Sequence, residues 1–264
     1  MEAIAIPSHG ARMNGLIYLA AGTGPHPIVV FLHGFPGNER NLDLAQAVRS
    51  AGYHALYFDY RGAWGSAGTF TFAHGLEDLA AVLAWVREPQ NAAKYHFDPK
   101  KMALVGHSYG GWLALMCAGH EPANVGVAAL AAWNLGWAGN RFAEHADERK
   151  DNLDDFRQST DPAGGPIRGD ADDLIGEMSE HAAAWDYIKQ CSNLKDHPLL
   201  LVAASRDTPD EGVDQHARLA QAIQAAGGKQ VTVRTFEDDH PFSAHRIALA
   251  DVLIKWLRED CFKR

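Results

Sequence analysis

Ser108, Asp207 and His240 are the residue types that together make a hydroxyl reactive, and each follows closely on an apolar run. A serine hydroxyl alone is a poor nucleophile at neutral pH. It needs a base to take its proton, an acid to orient that base, and N–H donors for the oxyanion formed on the attacked carbonyl. Ser108 lies in "MALVGHSYGG", between an apolar run and a helical pattern through Trp112, Leu113, Leu115 and Met116. A strand that passes into a helix within about two residues brings backbone against backbone, which glycine tolerates. Gly106 and Gly110 flank Ser108 at i−2 and i+2, where side chains would collide. This G-x-S-x-G spacing projects the serine from a strand end beside the first amides of a helix.

The partners of a serine at a strand end must come from other strand ends at the same edge, so an acid and a histidine are sought after the later apolar runs. Run 198–204 ends in "SRDTPD", which offers Asp207, with Asp210 and Glu211 as close rivals. Run 230–236 is followed by "EDDHPFSAHR". His240 is the first histidine after that last run and the expected base; His245 is expected about a turn into the next helix. For the oxyanion, run 27–32 ends in "FLHGFPG", where Gly34 and Gly37 let the loop fold against the serine turn. The Phe35 N–H can then face the same point as the N–H of Tyr109, whereas Pro36 has no N–H to give. His33 is expected to brace this loop by hydrogen bonding rather than to act on substrate.

The elements that must position these residues alternate. Candidate strands are 15–20, 27–32, 54–59, 102–106, 125–133, 198–204 and 230–236, and helical patterns fall at 39–51, 74–87, 109–119, 214–226 and 243–258. Strands that are continuously apolar and separated by helices predict an α/β fold, a mostly parallel sheet covered on both faces. Function in such sheets gathers beyond the carboxyl ends of the strands. Residues 137–196 break the rhythm and are expected to form a small helical cap inserted between core segments 1–136 and 197–264. Its helical patches fall around 141–157 and 171–190. Trp137, Trp185 and Tyr187 are candidates for an apolar pocket wall or for packing within the cap, and the polar run 144–158 reads as a solvent-facing helix.

The chain has 264 residues, 47% of them hydrophobic, and a formal net charge of −9. That size suits one large α/β domain with an insertion. The negative balance, without a Lys/Arg cluster, argues against nucleic acid or an anionic membrane as partner. No apolar run reaches about 18 residues, so no membrane span is expected. "MEAIAIPSHG" lacks a basic segment followed by an apolar one, so no secretory signal is expected. Cys117, Cys191 and Cys261 are few, odd in number and widely spaced. They suggest a reducing, cytoplasmic setting without a disulfide framework, Cys117 being a small core residue. The 14 histidines fall in no H-E-x-x-H spacing, and no C-x-x-C is present, so no metal is expected. Phosphate-binding glycine motifs are absent too.

Taken together, "HGFPG", "FDYRGAWGSAG", "GHSYGG", "SRDTPD" and "DDHPFSAHR" resemble the α/β-hydrolase superfamily. The closest likeness is to small serine esterases of the cinnamoyl/feruloyl type and to prolyl-oligopeptidase catalytic domains. The resemblance covers nearly the whole chain except 137–196 and implies an α/β-hydrolase fold. It implies Ser108 as nucleophile, Asp207 as orienting acid, His240 as base, and the Phe35 and Tyr109 amides as oxyanion hole. A dienelactone hydrolase relative would carry cysteine at position 108. The loop from Asp59 to Ser66 resembles the family's loop beside the active site, where Trp64 either lines a pocket or packs as an ordinary aromatic.

The expected activity is that of a serine carboxylesterase on small to medium esters, through an acyl-enzyme and without a cofactor. The same residues suit an aminopeptidase, acyl-peptidase or acyltransferase. A non-catalytic binding protein on this fold would be expected to lack one of them. The expected partner is a small-molecule ester; a homo-oligomer is left open.

Overall fold

The computed structural model describes residues 1–207 and 212–263. Its elements run β1 (Glu2–Ser8), β2 (Ala11–Tyr18), β3 (His26–Leu32), α1 (Leu42–Ser50), β4 (His54–Phe58), α2 (Phe72–Arg87), α3 (Pro89–Tyr95), β5 (Phe97–His107), α4 (Tyr109–Ala118) and β6 (Gly126–Leu130). Four helices follow: α5 (Leu135–Arg141), α6 (Ala146–Ser159), α7 (Ala171–Glu180) and α8 (Ala182–Trp185). The chain then returns through β7 (Leu199–Ala204), α9 (Val213–Ala225), β8 (Val231–Phe236) and α10 (Arg246–Trp256). The strands form one eight-stranded sheet in the order β1-β2-β4-β3-β5-β6-β7-β8. The β1–β2 and β2–β4 pairs are antiparallel, and every pair from β4–β3 to β7–β8 is parallel.

The central strands read as unbroken apolar runs because both of their faces are covered. Along β3, Ile28, Val30 and Leu32 enter one core while Val29 and Phe31 enter the other. The first core gathers Leu79, Val82 and Val86 of α2 with Trp112 and Leu115 of α4; the second gathers Leu44 and Val48 of α1 with Leu249 and Leu253 of α10. This period of two is the pleat of the strand expressed as packing.

Seven strands fall where the sequence predicts them, within a few residues. The apolar periodicity places the start of α2 at 74, but the helix starts at Phe72 because the Thr71 side chain caps it, accepting from the His74 amide at 3.0 Å. Such a cap contributes about 1 kcal/mol. The sequence reading missed β1, an edge strand whose residues are largely exposed, and α3, a short helix with proline at its start. The β6 strand ends at Leu130, three residues before the expected 133, because Ala131 takes a left-handed φ of 44°.

Candidate active site

The parallel strands deliver every sequence-derived site residue to one edge. Phe35 follows β3, Ser108 follows β5 directly, Asp207 follows β7 and His240 follows β8. Asp210 and Glu211, the rivals to Asp207, lie outside the described residues.

Ser108 has φ 55° and ψ −121°, a region L-residues rarely occupy. Holding it there costs on the order of 1–3 kcal/mol and requires surroundings that over-determine it. Its own amide donates to Leu130 O at 2.9 Å, and its carbonyl accepts from Gly111, Trp112 and Trp133 amides at 2.9, 3.1 and 3.1 Å. The flanking glycines are required on steric grounds. A methyl on Gly106 would enter the Gly110 carbonyl, and one on Gly110 would enter the Leu32 carbonyl. Ser108 is buried apart from an exposed fraction of 4%. Tyr109 opens α4, so its N–H belongs to the first turn, which has no intrahelical acceptor.

Gly34 lies against the serine. A Cβ built on it would sit 3.1 Å from Ser108 Cβ and 3.5 Å from its Oγ. Phe35 follows Gly34 in this loop and lines both cavities that Ser108 borders. This loop is braced from two directions. His33 Nδ1 lies 2.7 Å from Gly34 O. Burial holds the His33 pKa down at about 4, so the ring is neutral. Trp64, from the loop after β4, donates its indole N–H to Pro36 O at 2.7 Å. Arg40 stacks over the Trp64 ring at 4.1 Å. The Trp64 amide donates to Pro166 O at 2.8 Å, linking the loop to the segment between β6 and β7. Trp64 is therefore a brace; it lines neither cavity beside Ser108.

His240 and Asp207 meet. His240 Nδ1 lies 2.8 Å from Asp207 Oδ2, and the Asp207 side chain is 2% exposed. A carboxylate on Nδ1 fixes the tautomer with its proton there, leaving Nε2 with a lone pair. The His240 carbonyl is held by His107 Nε2 at 3.0 Å, with the rings 4.5 Å apart. Burial, then the nearby His240, lowers the His107 pKa to about 3, so this ring stays neutral as well. The sequence reading missed His107, although it adjoins Ser108. It also misplaced His245, which is the N-cap of α10 and not a residue one turn inside it.

Ser108 and His240 line two cavities together. The larger, about 450 Å³, has an aromatic floor of Phe35 and Trp133. Its opposite wall is α6, through Asn152, Asp155, Phe156, Gln158 and Ser159. The smaller, about 220 Å³, lies under the Gly34–Glu39 loop and Pro241. The larger falls within the usual 300–1,000 Å³ range of ligand sites. Of the two readings open for Trp137, Trp185 and Tyr187, pocket wall or packing, the structure shows packing. Trp185 packs on Trp112 and Tyr187 donates to Ala132 O at 3.1 Å, both buried, while Trp137 is overlaid by Arg141. None of the three lines the cavities beside Ser108. The polar run instead supplies the wall: 152, 155, 156 and 159 recur at i, i+3, i+4 and i+7, one face of a helix, a signal the sequence did carry. Among the described residues no group of three or more His, Cys, Asp or Glu is placed to hold a metal ion. No helix there is long and apolar enough to cross a membrane.

Residues 29–252 match the model of the alpha/beta hydrolase family, and the chain belongs to that family. Its fold is shared by Est1E of Butyrivibrio proteoclasticus in complex with ferulic acid, at TM-score 0.71 and 16% identity over 98% of this chain and 99% of that one. The esterase Pf2001 of Pyrococcus furiosus superposes at TM-score 0.68 and 16% identity, over 99% of this chain and 90% of the other. The acylaminoacyl peptidase of Pyrococcus horikoshii gives TM-score 0.71 and 17% identity, over 100% of this chain and 42% of that one. Among curated proteins, lysophosphatidylserine lipase ABHD12 of Danio rerio is 30% identical over 89 residues, 32% of this chain and 21% of the relative. The match thus spans about a fifth of that relative's length.

Proposed function

We propose that this hydrolase is a serine carboxylesterase acting on small to medium esters. The observation that carries the reading is the 2.8 Å Asp207–His240 hydrogen bond, on a histidine that shares both cavities with Ser108. His240 Nε2 takes the Ser108 Oγ proton as Oγ bonds to the ester carbonyl carbon. Charge moves to the carbonyl oxygen, where the Phe35 and Tyr109 N–H groups receive it. As the tetrahedral intermediate collapses, the C–O bond to the alcohol breaks and His240 returns the proton to the leaving oxygen. Water, deprotonated by His240, then attacks the acyl carbon and frees the acid and Ser108. Asp207 remains ionised throughout and stabilises the imidazolium. No cofactor takes part.

Residues 137–196 act in this proposal as a cap. Phe156 meets Phe35 with ring centroids 4.9 Å apart, so α6 closes the cavity from above. An aromatic floor and a polar α6 wall suit compact acyl groups better than long alkyl chains. Cys117, Cys191 and Cys261 are all free thiols, in keeping with a reducing, cytoplasmic setting. The ferulic acid complex of Est1E and the Pf2001 esterase favour ester chemistry; the peptidase relative keeps amide cleavage as the second reading. A panel of aryl, alkyl and lysophospholipid esters with N-acyl peptides, run against a Ser108→Ala control, tests this. Ester turnover that disappears in the control is the expected result. Preferential Ser108-dependent cleavage of the peptides would replace the esterase reading.

A further inference from the structure

We propose that Asp238 and His245 form a second carboxylate–imidazole pair that positions the catalytic loop, an inference that rests on His240 as the base. The loop joins β8 to α10, and Asp238 is wholly buried beneath it. Its carboxylate accepts from both ends of the loop: the Asp239 amide at 2.9 Å, the Ala244 amide at 3.1 Å and His245 Nδ1 at 2.9 Å. His240 lies between those anchors. The same carboxylate receives Arg206 Nη2 at 3.4 Å, and the Asp238 carbonyl accepts the Arg206 amide at 3.1 Å. Asp238 thus ties the His240 loop to the strand end that carries Asp207.

A buried carboxylate is costly unless donors replace its water, and here backbone and side-chain donors from two loops do so. The loop needs such a hub. Phe242, two residues after His240, is fully buried with φ 57°, a left-handed conformation disfavoured for an aromatic residue. The pair itself does not meet substrate, because neither Asp238 nor His245 lines the cavities at Ser108. His245 instead borders a separate surface depression with Arg246 and Ile247. The pair acts through His240, setting where its Nε2 stands relative to Ser108.

The experiment compares Asp238→Asn, His245→Leu and His245→Asn in the full chain, each corrected for folded protein by its unfolding curve. The readouts are kcat and KM on an activated ester and the rate at which a fluorophosphonate labels Ser108. His245→Leu and Asp238→Asn are expected to lose about 10- to 100-fold in kcat and in labelling, as a displaced catalytic group does, with KM nearly unchanged. His245→Asn keeps a donor near the Nδ1 position and is expected to recover most of the rate, which bulk packing alone would not give. His245 is 38% exposed, so its variants decide the matter even where Asp238→Asn fails to fold. Wild-type kcat in His245→Leu, or equal losses in the Leu and Asn variants, overturns the pair. A wild-type protein that does not label at Ser108 removes the esterase reading and this inference with it; a labelled wild type with unaffected variants removes the inference alone.

Discussion

Gly110 and Leu32 touch backbone to backbone: the first turn of α4 packs so closely on the last carbonyl of β3 that no side chain fits between them. This contact seats Ser108 against the loop of Gly34 and Phe35. Neither Gly110 nor Gly106 needs a positive φ, so the requirement is one of space alone. Gly110→Ala is expected to destabilise the fold by about 1–3 kcal/mol through overpacking and to depress turnover with it. Urea unfolding monitored by tryptophan fluorescence checks this; a wild-type midpoint with wild-type turnover would contradict the packing.

Asp207→Asn keeps the size of the side chain but presents an amide to His240 Nδ1. That favours the wrong tautomer, and kcat should fall about 10⁴-fold with little change in the melting temperature. Near-normal turnover would transfer the role to another acid, Asp210 or Glu211 being the first to test.

Acid should destabilise the fold before it protonates most surface carboxylates. Burial depresses the pKa of His33 and His216 to about 4 and of His107 to about 3, against an ordinary 6.5. Below pH 6.5 the unfolded chain takes up protons that the native rings refuse, so stability rises with pH through this window. The contribution is complete above 6.5 and is lost as pH falls through about 4 and then 3. His216 shows why its ring resists protonation: its Nε2 accepts the Ala132 amide at 3.2 Å. Urea midpoints are expected to drop steadily from pH 7 to pH 4, and a flat profile would refute the assignment.

The cavity should limit acyl length. Phe156 narrows it over Phe35 and Trp133, so rates are expected to peak at short or compact aromatic acyl groups and fall for long alkyl chains. Phe156→Ala should raise the long-chain rate relative to the short. A rate that climbs with chain length in the wild type, or jumps at an emulsion surface, would exclude a restricting cap.

Legibility followed burial. Strands covered on both faces, such as β3 and β7, announce themselves as apolar runs, and glycines forced by backbone contact marked Ser108. The edge strand β1 is mostly exposed and so lacks that signature. Aromatic type could not separate a pocket wall from a core: Trp185 and Tyr187 went into the core, while Asn152 and Asp155 took the wall. Asp238 was hidden for another reason. Its partner Arg206 lies 32 residues away in the chain and is brought to it by the β7–β8 pairing, and His245, 7 residues on, reaches it only through the fold of the loop between them.

The most direct measurement is acid-quenched mass spectrometry of the protein mixed with an activated acyl ester. An acyl adduct on the peptide bearing Ser108, formed at the rate of the product burst and absent in Ser108→Ala, is the predicted result. Turnover that survives in Ser108→Ala, or an adduct on another residue, would contradict Ser108 as the nucleophile.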